Sequence, residues 1–170
     1  ILTGNPVRSE LLEDLIIQWD AKELLGFNPQ GPLTLILGGS QGSERLNNFI
    51  LSNLEAILKE TQVFHQTGKN NYSEIERLSK TFDKSSYKIA PYLEKELKAA
   101  LTAADLVISR AGSGVIFEAA TFGKPMILIP LKESANNHQR ANAYEVSKTG
   151  AAIVIEEQNL LGTIFLNQLR

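Results

Sequence analysis

Glu118 stands four residues beyond Gly114 in the stretch SRAGSGVIFEAATFGKPMILIPL, Ser109 to Leu131. The stretch reads as an apolar strand, a Gly-x-Gly turn, a helix and a second apolar strand. The first backbone N–H groups of a helix lack intrahelical partners and carry the positive end of its dipole, so they suit a phosphate. At about 1.5 Å rise per residue, the Cα of Glu118 lies roughly 6 Å further along the axis. A diphosphate at the helix start would bring an attached ribose beside that carboxylate, which can accept hydrogen bonds from two vicinal hydroxyls. The plainer alternative is an acid favoured by the first turns of a helix. A second glycine turn, Gly38-Gly39-Ser40-Gln41-Gly42, follows the apolar run LTLIL and offers the same chemistry, with Ser40 adding a hydroxyl. Either turn taken alone is equally a tight strand-to-helix connection.

Two familiar nucleotide motifs are excluded. No Gly-Lys-Ser/Thr follows the first turn, so it is not the phosphate loop of nucleoside triphosphatases. Phe117 takes the place of the third glycine after Gly112-Ser113-Gly114, and no acidic residue stands at the offset a dinucleotide site requires. Further on, ESANNHQRANAY offers amides at a loop-to-helix entry. Gln139 and Asn142 are three apart and share a helix face, and amides donate and accept at once, as sugar hydroxyls require. Asn136 reads better as a helix cap. His65 and His138 are bases or ligands only if the fold unites them; their separation has no metal-ligand spacing, and no metal or cofactor is expected.

The elements that must position these residues follow from the apolar pattern. Strand-like runs occur at Leu33–Leu37, Gln62–Gln66, Tyr87–Ile89, Leu106–Ser109, Met126–Ile129 and Ala152–Ile155. Leu46, Phe49, Ile50, Leu54, Ile57 and Leu58 share one face of a helix beginning near Ser43. Further helices are expected at about Tyr72–Lys80, Glu94–Ala103, Gly114–Phe122 and Asn137–Lys148, the last closed by Gly150 as its C′ residue. The alternation predicts an α/β fold with a Rossmann-like, doubly wound parallel sheet. In such a sheet both glycine turns open at the carboxyl edge of the strands and share one crevice.

The chain has 170 residues, no cysteine, a net charge of -2, and 43% hydrophobic and 21% charged content. That suits a single well-cored domain spanning 1–170. Thiolate metal sites and disulfides are excluded, and a reducing compartment, with the cytoplasm as default, is expected. The charge gives no basic field for nucleic acid. The longest apolar run, MILIPL, is far too short to cross a bilayer. The chain starts without methionine in what reads as an extended segment and stops soon after a helix begins, as a piece of a longer protein would.

With these residues in place, the ordered set TGNPVR, GGSQGS, HQTGK, SRAGSGVIFEAATFGKPMILIPL, NNHQRANA and GAA resembles the bacterial MurG family. That family is the UDP-N-acetylglucosamine:undecaprenyl-diphospho-muramoylpentapeptide N-acetylglucosaminyltransferase of peptidoglycan synthesis. The resemblance runs from Thr3 to about Ile155 and corresponds to the C-terminal, donor-binding half of a two-domain GT-B fold. It implies that Arg8 and Ser40 reach the donor, with Ser40 near its diphosphate, and that Leu93 contacts uracil mainly through its backbone. It places Ser113, Gly114, Val115, Ile116 and Phe117 at the phosphates through backbone groups and Glu118 on the ribose hydroxyls. Gln139 would read the GlcNAc hydroxyls, and His138 stands where some relatives have a second glutamine.

The activity so implied is inverting transfer of GlcNAc from UDP-GlcNAc to lipid I, giving lipid II. The acceptor site, the general base and the membrane-docking surface would lie in an N-terminal half, so that the full-length protein sits peripherally on the inner face of the cell membrane. The fragment alone would bind UDP-GlcNAc without turning it over, and its catalytic residues are unknown. Two other readings stay open: a different UDP-sugar enzyme of the GT-B fold, such as a UDP-GlcNAc 2-epimerase, or a non-catalytic nucleotide-sugar-binding subunit acting with a partner chain.

Overall fold

The computed structural model describes residues 7–13, 16–39, 41–131 and 137–169. Six strands form one fully parallel sheet: β1 (Leu33–Leu37), β2 (Gln62–Gln66), β3 (Tyr87–Ala90), β4 (Leu106–Ser109), β5 (Met126–Leu128) and β6 (Ala152–Val154). Their order is β3-β2-β1-β4-β5-β6. Among the described residues seven α-helices accompany them: α1 (Gln18–Leu24), α2 (Glu44–Ile57), α3 (Tyr72–Leu78), α4 (Leu97–Ala103), α5 (Ser113–Thr121), α6 (His138–Ser147) and α7 (Gly162–Leu169). This is the doubly wound α/β arrangement, with its strand order reversing between β1 and β4.

The pleat sorts the core into two layers, because successive strand residues point to opposite faces. Leu35, Leu37, Val107, Met126 and Leu128 pack against Ala21, Leu97, Leu101, Ile116, Ala119 and Ala143 of α1, α4, α5 and α6. On the other face Ile36, Ile108 and Ile127 meet Leu46, Ile50, Leu54 and Ile57 of α2 and Phe165 of α7. Those four α2 side chains are fully buried, worth about 1.5–3 kcal/mol each, so the start of α2 is held firmly against the sheet.

Several strand and helix bounds differ slightly from expectation, α5 beginning and ending one residue sooner and α6 being one residue shorter at each end. β3 runs one residue longer, β5 and β6 end one residue sooner, and α3 stops at Leu78 rather than Lys80. α4 starts at Leu97 instead of Glu94. Its N-cap Glu96 keeps helical φ and ψ, and ahead of it Leu93 is buried with its N–H on the Gln66 side chain at 2.9 Å. Gly150 takes a positive φ of 79° but lies one residue past C′, since α6 ends at Ser147 with Lys148 as its C-cap. The α1 helix gives no apolar stripe in the sequence, because its buried face is only Ala21 and the stem of Lys22.

Lys22 reveals how α1 is fastened. Its Nζ donates to the Gly31 carbonyl at 2.8 Å and pairs with Asp105 at 2.7 Å, while Asp105 also accepts from the Leu33 N–H and Gln18. Burial opposes ionisation of Asp105, but hydrogen bonds from Lys22, Leu33 and Gln18 outweigh it and hold the carboxyl below its usual range. The amino ends of β1 and β4 are thereby locked at the edge away from the glycine turns.

His65 is structural. It is fully buried, with Nδ1 2.9 Å from the Tyr87 hydroxyl and Nε2 3.0 Å from Asn47 Oδ1. The Asn47 amide nitrogen donates to the Thr67 carbonyl, so its oxygen faces the ring and Nε2 must carry the proton; Nδ1 accepts from Tyr87. Burial pushes the His65 pKa down to about 3. An unfolded histidine binds a proton below about pH 6.5, whereas the folded one does not, so stability falls with pH from there toward pH 3. His65→Gln is expected to remove that one-proton dependence: thermal unfolding followed from pH 7 to pH 5 should show a smaller decline in Tm for the variant than for the unaltered chain.

Candidate functional site

Both glycine turns open into one cleft of about 740 Å³ at the carboxyl edge of the sheet. β1 and β4 are hydrogen-bonded neighbours, yet β1 runs into α2 on one face and β4 into α5 on the other. The chain diverges there, and a crevice is left between the two helix starts. Gly38, Gly39, Gln41, Gly42 and Ser43 line one side; Gly112, Val115 and Glu118 line the other. Ser40 of this loop, Asn136 and the Thr3–Pro6 part of TGNPVR lie outside the described residues.

The α5 start has the character that an anion needs. Its N-cap is Gly112, which offers no side-chain cap, and Ile116 is the first residue whose N–H bonds back, to the Gly112 carbonyl at 3.2 Å. The N–H groups of Ser113, Gly114 and Val115 therefore remain available at the positive end of a nine-residue helix. Ile116 turns its side chain into the core, 4% exposed, and Phe117 turns outward, 41% exposed; neither lines the cleft.

Glu118 reaches the cleft from the next turn of α5, and Arg8 meets it there. Arg8 Nε and Nη2 lie 2.9 and 2.8 Å from the same oxygen, Glu118 Oε1. Two residues that the sequence placed at the donor separately are thus in direct contact, with Glu118 Oε2 left for another donor. Gln139 also lines the cleft; its Oε1 accepts from the Leu131 N–H at 3.0 Å, and its amide nitrogen has no partner among the described residues. Asn142, on the same helix, instead donates to the Ala111 carbonyl and ties α6 to the turn after β4. His138 is exposed and lies outside the cleft lining.

Several site residues escaped the sequence reading. Gln66 donates to the Gly39 carbonyl at 3.1 Å and accepts from the Leu93 N–H at 2.9 Å, joining the loops after β1 and β3. Leu93 accordingly has only its carbonyl free as a backbone group for a base. Arg110, which follows β4 directly, is buried and bonds to Ser43, Glu157 and the Ile129 carbonyl. Arg45 pairs with the second oxygen of Glu157 at 3.0 Å. Gln66 belongs to HQTGK and Arg110 to SRAGSG, so a polar residue directly after a buried strand was the available signal. Glu157 had none, because it lies over forty residues away in sequence. Among the described residues, no group of three or more His, Asp or Glu is placed to hold a metal, and no helix is long and apolar enough to cross a membrane.

A doubly wound sheet with an uncapped helix start and a carboxylate at its switch point is the architecture of a nucleotide-binding α/β domain. The comparisons with known proteins narrow that class. Residues 33–170 match the glycosyltransferase family 28 C-terminal domain, and the chain belongs to that family. It is 39% identical over 171 aligned residues to the UDP-N-acetylglucosamine--N-acetylmuramyl-(pentapeptide) pyrophosphoryl-undecaprenol N-acetylglucosamine transferase of Clostridium tetani, covering 99% of this chain and 46% of that protein. The chain thus spans about half the length of the curated relatives it matches. Among solved structures it is similar to MurG of Acinetobacter baumannii, with a TM-score of 0.73 and 29% identity over 94% of this chain and 44% of the other. The fold alone is shared with ALG13, at TM-score 0.59 and 22% identity, over 81% of this chain and 85% of that one.

One contact makes the shape of the cleft testable. Gly42 and Gly68 both take positive φ; a Cβ on Gly68 would collide with the backbone of Gly42, and one on Gly42 would collide with the Thr67 carbonyl and Asn71 Oδ1. The loops after β1 and β2 therefore touch main chain to main chain. Gly68→Ala is expected to force them apart and to cost about 2 kcal/mol, from the clash together with the left-handed backbone. A thermal melt of the variant checks this, and an unchanged Tm would show that the loops are not in contact.

Proposed function

We propose that this chain is the donor-binding half of an inverting N-acetylglucosaminyltransferase that moves GlcNAc from UDP-GlcNAc to lipid I and forms lipid II. The observation that carries the proposal is the convergence of both glycine turns, the Arg8–Glu118 pair and Gln139 on one cleft. The activity for which the clostridial relatives are named supports the choice of donor and acceptor. The diphosphate would lie between the starts of α2 and α5, with Ser40 beside it, the ribose against Glu118, uracil near Leu93, and the sugar toward Gln139. As the glycosidic bond breaks, negative charge grows on the UDP leaving group. The N–H groups of Ser113, Gly114 and Val115, already oriented, would stabilise that charge without having to reorganise.

The acceptor hydroxyl needs a base within hydrogen-bond reach. Glu118 is engaged by Arg8, and Glu157 by Arg45 and Arg110. We assign the base, the lipid I site and the surface that seats the enzyme on the inner face of the cell membrane to the other half of the full-length protein. This chain alone would bind the donor and not turn it over.

Calorimetric titration with UDP and with UDP-GlcNAc tests the assignment. Glu118→Ala is expected to weaken both ligands about tenfold, because the ribose is common to them. Gln139→Ala should weaken UDP-GlcNAc by about fivefold and leave UDP unchanged, as loss of one neutral hydrogen bond would. If neither variant differs from the unaltered chain, the proposed site is wrong.

A further inference from the structure

Ser43 is the N-cap of α2 and lies on the wall of the cleft. Its Oγ accepts from Arg110 Nη2 at 2.7 Å, from Arg110 Nε at 3.1 Å and from the Leu46 N–H at 3.4 Å. A hydroxyl oxygen has two lone pairs and a single proton. With donors gathered on the oxygen, the proton must point away from them, and among the described residues no acceptor receives it. What Ser43 faces on its free side is the cleft.

Arg110 is not itself free to turn onto a ligand. Besides Ser43 it bonds to Glu157 Oε1 at 2.6 Å and to the Ile129 carbonyl at 3.2 Å, and only 9% of the residue is exposed. Glu157 is shared with Arg45, and Glu44 also lines this wall, so the charges here balance and what the wall offers a ligand is a directed donor. A hydroxyl that receives hydrogen bonds from a guanidinium is also polarised into a stronger donor.

We propose that the Ser43 hydroxyl, aimed by Arg110, donates its proton to a phosphate oxygen of the bound nucleoside diphosphate. Arg110 is then a positioning residue, held in place by Glu157, and Ser43 is a ligand contact in addition to a helix cap. The assignment rests on the donor-site reading above.

Its test compares UDP with uridine as ligands of the 170-residue chain, by calorimetric titration. Glycine is nearly as good an N-cap as serine, so Ser43→Gly removes the hydroxyl and leaves the helix start intact, which a thermal melt verifies. It is expected to weaken UDP about tenfold with no change for uridine, whereas Ser43→Thr keeps the hydroxyl and retains UDP affinity. Arg110→Lys, which keeps the charge but cannot fork onto Ser43, should show the same loss confined to UDP. An affinity of Ser43→Gly for UDP within twofold of the unaltered chain, or an equal loss for uridine, overturns the contact. An Arg110→Lys protein that binds UDP normally overturns the positioning role. Failure of the unaltered chain to bind UDP would defeat the donor-site reading itself, and this assignment with it.

Discussion

β1 and β4 lie side by side in the sheet, but the chain leaves them toward opposite faces, α2 to one and α5 to the other. No crossover can fill the gap between those departures, and two helix starts are left facing the same hollow. The hollow depends on the two apolar layers that hold α2 and α5 in place. It also depends on the Lys22–Asp105 clamp at the opposite edge, which fixes where β1 and β4 begin.

Around that hollow the polar residues divide into two kinds. Arg110, Glu157, Gln66 and Asn142 spend their hydrogen bonds on the protein and keep the loops in register. Glu118, Gln139 and Ser43 line the cleft, and among the described residues part of their hydrogen-bonding capacity has no partner. The division follows from burial. A buried polar group left without partners is costly, so the deeper groups bond to each other and the shallower ones can wait for a ligand. Arg8 and Glu118 stand between the two kinds, since each is the other's partner in this structure.

The same logic explains how His65 and Gly68 serve the site without entering it. His65 joins β2 to β3 through Tyr87 and to α2 through Asn47, and the Asn47 amide in turn holds the Thr67 carbonyl next to Gly68. The Gly42–Gly68 contact then seats the loop after β1 on the loop after β2. A buried neutral imidazole and two bare Cα atoms thereby set the height of one wall of the cleft.

Six strands, the start of α2 at Ser43 and the glycine turns were legible in the sequence, because local pattern dictates them: short runs rich in branched apolar residues, a 3.6-residue stripe and residues free to take positive φ. The shared cleft was legible from topology, since alternating strands and helices force a parallel sheet with a switch point. The helix α1 was not legible, because a buried lysine stem carries no apolar signature. Nor was the start of α4 at Leu97. The partnerships of Arg8 with Glu118 and of Arg110 with Glu157 and Ser43 join residues from 47 to 110 positions apart. Sequence specifies what each of those side chains can offer, but which of them meet is fixed only when the sheet closes and brings the ends of distant strands together.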